Sequence, residues 1–435
     1  MNVLSMMNYE ETIEYLFTKL PMFSRIGSAA IKADLTNTIA LCNYLDNPQH
    51  KFKTIHIAGT NGKGSVSHML AAVLQTAGYK TGLYTSPHLK DFRERIKING
   101  EMINKEFVTD FTDNIKIAIE EIEPSFFEIT VAMAFDYFSE QHVDIAVIET
   151  GLGGRLDSTN IITPEISVIT NIGWDHMNLL GNSLEKIAAE KAGIIKQNVP
   201  VVIGEVIPET KPVFEKTARK NNASLSIASQ VREAMNWQWE KHELIIEVAT
   251  ANKTDHKKYH LDLPGIYQTK NLLTVLETCW QLQRTGWKIE EEHIHKGLQQ
   301  VKKLTGLHGR WEIINHSPLI VLDVAHNADG IQQLIEQIEV LDPANVHIIL
   351  GMVKDKEIEK VLSLLPHTAT YYFTQAHIPR AIDADMLQKK AEEAGLHGNI
   401  YTDVNAAITA AKNKAKEDDL IIVCGSVFLI GEVIY

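Results

Sequence analysis

The chain has 435 residues, with 42 Lys+Arg against 55 Asp+Glu, and its formal net charge of −13 argues against a protein that grips nucleic-acid duplexes through a basic face. Hydrophobic residues make up 45% and charged residues 22%, the balance of a globular protein of two or three domains with substantial cores. The three cysteines (Cys42, Cys279, Cys424) match no zinc spacing, and there is neither a basic leader nor a run of 18 apolar residues, so a reduced, cytoplasmic, soluble setting without a membrane partner is expected.

The first clear element is the apolar run Thr54–Ala58, a buried strand. It leads into Gly59-Thr60-Asn61-Gly62-Lys63-Gly64-Ser65 and then into a helix from about Ser65, marked by Val66, Met69, Leu70, Val73 and Leu74. Strand, glycine turn, lysine and helix in this order form a phosphate cradle: glycines let backbone N–H groups turn inward, and the helix N-terminus and Lys63 add positive charge. The spacing G-x-x-G-K-G-S departs from the common G-x-x-x-x-G-K-S. The plainer alternative is a glycine turn with a surface lysine.

A short strand, Thr81–Tyr84, precedes Thr85-Ser86-Pro87-His88-Leu89, where Ser86 is either a turn residue or a hydroxyl near a metal. Lys90, Arg93, Arg95 and Lys97, interleaved with Phe92 and Ile96, read either as a surface for an anionic, partly aromatic substrate or as a solvated face. Asp144–Glu149 is a strand ending in a carboxylate, followed by Thr150-Gly151-Leu152-Gly153-Gly154-Arg155-Leu156-Asp157. These glycines are not a dinucleotide fingerprint, because the third required glycine is Leu156.

Ligands of parallel sheets bind beyond the carboxyl ends of strands, which makes Glu149 a candidate Mg²⁺ ligand as well as a candidate solvated carboxylate. The strand Ile166–Thr170 brings Ile172-Gly173-Trp174-Asp175-His176 to the same edge, so His176 is a second candidate ligand. Lys191, in Glu190-Lys191-Ala192-Gly193-Ile194-Ile195-Lys196, ends a helix that starts near Leu184. It reads either as a helix-end lysine complementing the dipole or as a desolvated amine able to take up CO₂ as a carbamate.

After the strand Val201–Ile203 the pattern changes. Trp237, Trp239, Leu244, Ile246 and Val248 alternate between Val231 and His260, which predicts an antiparallel insertion. A helix over Asn271–Arg284 and a polar helix over Glu290–Lys303 follow, then the connector Leu304-Thr305-Gly306-Leu307-His308-Gly309-Arg310. Beyond it the strands Leu319–Asp323, Val346–Leu350 and Asp419–Cys424 restart the βα alternation. The expectation is an α/β protein of two domains. Residues 1–303 form a mostly parallel sheet with helices on both faces, and residues 304–435 a smaller Rossmann-like domain. Arg310 and Asp323-Val324-Ala325-His326-Asn327 are candidates to reach a nucleotide across the cleft; Asn271, Lys354-Asp355-Lys356 and Gly425-Ser426 are weaker ones.

From about Phe23 onward these motifs resemble the folylpolyglutamate synthase/dihydrofolate synthase family of the Mur ligase superfamily. The resemblance is carried by His56–Ser65, by Thr85–Leu89 with Arg93–Ile96, and by Phe127-Glu128-Ile129-Thr130. It continues through Glu149–Asn160, Asp175-His176, Glu190–Lys196, His308-Gly309-Arg310 and Asp323–Asn327. It implies an ATP-dependent amide ligase that joins L-glutamate to a reduced folate or to dihydropteroate through an acyl phosphate.

It further implies ATP binding by Gly59, Thr60, Asn61, Gly62, Lys63, Gly64 and Ser65, with Asn271, Arg310, Asp323 and His326 as nucleotide contacts. Ser86, Glu149 and His176 would hold Mg²⁺, and Lys191 would be carbamylated. Lys63, Glu149, His176 and Lys191 would form the catalytic set. A monovalent cation, a monomeric state and the absence of nucleic-acid partners are implied too. The family often has histidine where this chain has Tyr267, beside Gln268.

Three rivals are weaker. A cell-wall amino-acid ligase is expected to carry a separate nucleotide-sugar domain, for which a loop starting at Gly59 leaves little room. A simple P-loop NTPase has no need of the Asp323–Asn327 cluster, and a decayed regulatory module would be expected to have lost one of Lys63, Glu149, His176 or Lys191.

Overall fold

The structure, a computed structural model, describes residues 7–22, 34–240, 243–250, 255–354 and 357–435. Phe23, Asp355 and Lys356 lie outside the described residues.

The apolar runs of the first two-thirds form one sheet. Its strands are β1 (Lys53–Ala58), β2 (Thr81–Tyr84), β3 (Ile96–Ile98), β4 (Glu101–Met102), β5 (Ile145–Glu149), β6 (Ile166–Ile169), β7 (Val201–Ile203) and β8 (Leu225–Ile227). Their order is β4-β3-β2-β5-β1-β6-β7-β8, and only β3 and β4 run antiparallel to their neighbours. Strands buried on both faces are apolar at most positions, which is why β5 and β6 read as hydrophobic runs, interrupted only by Ser167 and the terminal Glu149.

Alternation along each strand divides the core. Ile55, Ile57, Leu83, Ile145 and Val147 pack under the helices Lys63–Thr76 and Gln268–Arg284. Tyr84, Ala146 and Ile148 pack against Phe126–Glu140 on the opposite face. In register, Ile57 of β1 lies beside Glu149 of β5, so the glycine turn and the carboxylate leave the sheet side by side.

The antiparallel insertion is present as β9 (Arg232–Glu240), β10 (Glu243–Thr250) and β11 (His256–Leu261), in the order β11-β10-β9. Leu244, Ile246 and Val248 face inward onto the helix Gln268–Arg284, with Trp237 and Trp239 beside them. That helix begins three residues earlier than the sequence predicts.

The second sheet comprises β12 (Glu312–His316), β13 (Leu319–Leu322), β14 (Val346–Leu350), β15 (Thr370–Phe373), β16 (Gly398–Ile400) and β17 (Leu420–Cys424). It is ordered β12-β13-β17-β14-β15-β16 and is parallel except for β12.

Two expectations change in the connector region. The polar helix predicted over Glu290–Lys303 is two helices, Glu291–Leu298 and Val301–Thr305. The break is held by Asp262, whose carboxylate accepts the Lys302 N–H at 2.8 Å. Lys97 does not belong to a solvated basic face. It is buried, and its ammonium donates to the carbonyls of Thr305 (2.7 Å) and Gly306 (3.2 Å), pinning the connector to β3. Among the described residues no helix is long and apolar enough to cross a membrane.

Candidate active site

After β1 the chain turns from strand to helix within four residues. A Cβ at Gly59 would stand 1.9 Å from Thr170 Oγ1, and Gly62 holds a left-handed backbone at φ +85°. The loop is built into its surroundings. Asn171 Oδ1 accepts the Asn61 N–H (3.0 Å), Thr170 Oγ1 donates to Asn61 O (2.6 Å), and Thr60 Oγ1 accepts from Gly173 N (2.9 Å). The helix starts at Lys63 rather than Ser65, so the lysine occupies the first turn. Its ammonium folds back onto Gly59 O (3.1 Å) and Thr60 O (3.2 Å). Gln268 Nε2 donates to Ser65 Oγ (3.2 Å), while Gln268 Oε1 accepts from Asn271 Nδ2 (2.8 Å).

Gly62 also touches Asn271: an added Cβ would lie 2.3 Å from its Oδ1. A left-handed L-residue costs about 1–2 kcal/mol. Gly62→Ala is therefore expected to displace Asn271 and to weaken nucleotide binding about tenfold, measured by titration calorimetry with ADP. Unchanged affinity would show that the loop tolerates another backbone conformation.

Glu149 ends β5, 4% exposed, and burial pushes its carboxyl up to about 7 against the opposing pull of Lys63, Arg310 and the Ser86 backbone. An ionised carboxylate at this depth needs cations around it. Ser86 and His176 line the same cavity. The His176 backbone is left-handed, and its Nε2 lies 3.7 Å from Asp175 Oδ2. Lys191 is buried at the end of the helix Leu184–Lys191 and donates to Gly59 O at 2.7 Å, placing its amine directly under the phosphate loop. The Gly151–Asp157 turn is pressed onto this helix end, since a Cβ at Gly154 would meet Glu190 O and Lys191 O at 2.9 Å.

The second domain supplies the opposite wall. A Cβ at Gly64 would lie 3.2 Å from Arg310 Nη2 and 3.8 Å from Glu149 Oε2, so the two domains meet over the first turn of the loop helix. Asp323 is buried at the end of β13, and its carboxylate accepts from Tyr267 OH (2.7 Å), Trp311 N (2.9 Å) and Ala325 N (2.9 Å). Burial raises its pKa. His326 anchors its ring by Nδ1 on Val324 O (2.8 Å), and its Nε2 lies 3.6 Å from Asp175 Oδ2. Asn61 and Asn327 exchange amide hydrogen bonds at 3.2 and 3.0 Å across the seam.

The cavity between the domains measures about 1170 Å³. It is lined by the whole Gly62–Ser65 turn and by Ser86, Glu149, His176, Asn271, Arg310, Asp323 and His326; Thr60 and Asn61 reach it too. Gly59 and Lys191 are set behind the loop instead. Ser426, at the N-terminus of the helix Val427–Gly431, also lines the cavity.

Several contributors were only partly visible in the sequence, Arg95 as one member of a basic stretch. Arg95, buried over the Phe126 ring, donates through Nε to His88 Nδ1 at 2.8 Å, and both side chains line the far end of the cavity. Asp175, next to His176, was the visible signal for the pairing with His326. Tyr267 stood out in the sequence only as a departure from histidine, with nothing local to show that it reaches Asp323.

Two family models match the chain: the Mur ligase middle domain over residues 57–279, and the Mur ligase, glutamate ligase domain over residues 309–427. A dihydrofolate synthase/folylpolyglutamate synthase of Bacillus subtilis (strain 168) is 33% identical over 416 residues, covering 93% of this chain and 94% of that protein. A folylpolyglutamate synthase of Lacticaseibacillus casei is 33% identical over 442 residues, with 98% of each chain covered. Among solved structures, E. coli FolC in complex with DHPP and ADP superposes with a TM-score of 0.84 at 29% identity, covering 98% of this chain and 96% of that one. Mycobacterium tuberculosis folylpolyglutamate synthase complexed with ADP gives 0.86 at 28%, with 98% of each covered.

Proposed function

The chain belongs to the Mur ligase family, in its folylpolyglutamate synthase/dihydrofolate synthase branch, and on that footing we propose how its own residues carry out the ligation. The activity is ATP-dependent addition of L-glutamate to folates. Dihydropteroate is proposed as a second acceptor. The observation that carries the reading is the meeting of Glu149, Gly64 and Arg310 between the two domains, at the mouth of a glycine turn that holds Lys63. We place the division of labour at residues 303/304, with ATP and the folate bound mainly by the first part and glutamate ligation completed by the second.

In the first step a carboxylate oxygen of the acceptor attacks the γ-phosphorus of ATP, and the bond to the β–γ bridging oxygen breaks to leave ADP and an acyl phosphate. In the second, the amine of L-glutamate attacks the acyl carbon, loses a proton and expels phosphate, leaving an amide. Both steps bring anions together, so the chain's task is to offset charge and to fix positions. Lys63 supplies a cation at the loop, and its N–H groups face the phosphates at the helix N-terminus. Arg310 adds a second cation from the other side. Asp323, His326 and Asn271 orient the nucleotide, and the far end of the cavity, with Phe126, Phe127 and Arg95, receives the pterin.

The donor set suits Mg²⁺, which takes one or two carboxylates and fills its remaining positions with phosphate oxygens and water. Among the described residues no three His, Cys, Asp or Glu side chains converge, so Glu149, Ser86 and His176 are proposed to hold it with the nucleotide's help. Bound there, Mg²⁺ would neutralise charge on the transferred phosphoryl group. A carbamate on Lys191 would supply anionic oxygens beneath the loop. A monovalent cation is a further proposed cofactor. A cytoplasmic monomer without nucleic-acid or membrane partners completes the proposal.

The deciding experiment is a mass-spectrometric product assay with Mg-ATP, L-glutamate and either dihydropteroate or a tetrahydrofolate. A one-glutamate gain is expected with both acceptors. Gain with tetrahydrofolate alone would restrict the enzyme to tail extension, and ATP hydrolysis without gain in either tube would overturn the folate reading.

A further inference from the structure

The turn that opens the helix Gln268–Arg284 is tied to three parts of the molecule at once. Gln337, fully buried on the helix Ala328–Leu341 of the second domain, brackets it: its Oε1 accepts from Ile266 N (2.8 Å) and its Nε2 donates to Pro264 O (3.3 Å). Trp239 of β9 donates its indole N–H to the same Pro264 carbonyl at 2.8 Å. The next side chain, Tyr267, folds back over Gly265, where an added Cβ would meet its ring at 2.7 Å. Among the described residues its hydroxyl is bonded to Asp323 Oδ2 at 2.7 Å, in the other domain. Gln268 and Asn271 then continue towards Ser65 and Gly62. A single rigid turn thus sets both the back of the phosphate loop and the Asp323 carboxylate.

We propose that Tyr267 is a positioning residue for nucleotide binding, its hydroxyl holding Asp323 at one orientation across the domain seam, a role that rests on the nucleotide contact proposed above for Asp323. A carboxylate has about four acceptor positions. Three are filled by Tyr267, Trp311 and Ala325, two of them on Oδ2. The remaining position is on Oδ1, so a ligand hydroxyl or N–H finds an acceptor whose direction is already fixed. The phenol is half-buried at the cavity wall, and desolvation and the neighbouring carboxylate raise its pKa, which keeps it a donor at every working pH. Without the hydroxyl the carboxylate keeps one backbone N–H on each oxygen, Trp311 N on Oδ2 and Ala325 N on Oδ1, both from its own domain, and loses the bond that sets it against the phosphate-loop side of the seam.

The test is equilibrium binding of ADP to the full-length protein carrying Tyr267→Phe, with dihydropteroate binding measured in parallel. The ring is kept, so packing on Gly265 is kept. ADP affinity is expected to fall about tenfold, the scale of one hydrogen bond to a charged group. KM for ATP should rise to match, kcat should stay within about twofold, and dihydropteroate affinity should not change. Tyr267→His, which retains a donor, should recover part of the loss; it also serves if the phenylalanine variant does not fold. ADP affinity equal to wild type in folded Tyr267→Phe, even with a lowered melting temperature, would mean that the contact only joins the domains and would overturn the proposal, as would a folded Tyr267→His that loses the full tenfold despite its donor. Wild-type protein that fails to bind ADP would sink the nucleotide site and this role together. Protein that binds ADP but ligates no glutamate would refute the proposed acceptor chemistry alone.

Discussion

Lys63→Ala is expected to lower kcat for glutamate ligation by about 10²–10³-fold, the range seen when one preorganised group facing developing charge is removed. The ammonium is held by two loop carbonyls, Gly59 O and Thr60 O, so its position does not depend on the nucleotide being present. Preorganisation of this kind is what gives a charge its effect at a reacting phosphate, because nothing has to reorient when the bond breaks. The substitution also strips those carbonyls of a donor, although Lys191 still bonds Gly59 O at 2.7 Å. The loop should therefore keep its shape, and the loss should fall on the rate rather than on folding. Steady-state kinetics beside a circular-dichroism melt would check this. A kcat within threefold of wild type would remove Lys63 from the phosphoryl-transfer step.

The second large effect is expected at Glu149. Glu149→Gln should reduce activity about 10²-fold or more, given the several kcal/mol that a metal centre contributes to phosphoryl transfer. The same change should leave the ligand-free protein as stable as wild type, or more so, in mildly alkaline buffer. The sign follows from burial. The folded-state pKa of Glu149 is raised from 4.5 to about 7, so the fold favours the protonated carboxyl. The group's contribution to stability is therefore fully present below about 4.5 and is lost as pH rises to about 7, where the carboxylate must ionise without water. A glutamine never ionises and escapes that loss. Thermal melts from pH 5 to 8, without metal or nucleotide, should show wild type declining relative to E149Q as pH rises. A variant that melts well below wild type at pH 8 would make Glu149 a structural residue.

The strands that position the site were readable because burial on both faces makes them mostly apolar. β1, β5, β6, β13, β14 and β17 are predominantly apolar runs, despite the buried His56, Ser167 and His347, and their ends lie within about two residues of expectation. β16, Gly398–Ile400, was not readable, since its last two residues are exposed and no apolar pattern marks an edge strand. The glycine turn was readable because its backbone demands glycine at fixed places, and strand ends put Ser86, Glu149 and His176 among the candidates; all three line the cavity, and metal ligation by them is a proposal.

Lys191 is different. Its local sequence left a helix-end lysine as the simpler choice, and only the resemblance singled it out. Lys97 reads as part of either a substrate-facing or a solvated basic stretch, and its burial against the connector does not show in the sequence because side-chain direction in a three-residue strand has too short a period to read. The seam was beyond local reading altogether. Asn61 and Asn327 stand 266 positions apart and Tyr267 and Asp323 stand 56 apart, distances at which propensity and periodicity carry no signal.

The pinned connector has a mechanical consequence. Lys97 grips Thr305 and Gly306, His68 Nδ1 meets Thr305 Oγ1 at 2.7 Å, and Gly100 lies so close to Leu304 that a Cβ would come within 2.1 Å of its carbonyl oxygen. Gly309 is already hydrogen-bonded to Glu312 and Val324, so within the connector any swing of the second domain is left to residues 307 and 308, about 7 Å of chain. Arg310 follows directly, next to Gly64 and Glu149, so it stands at the pivot of any such swing. Rotation about that point would move the arginine little, and it would stay beside the loop whatever the rest of its domain does.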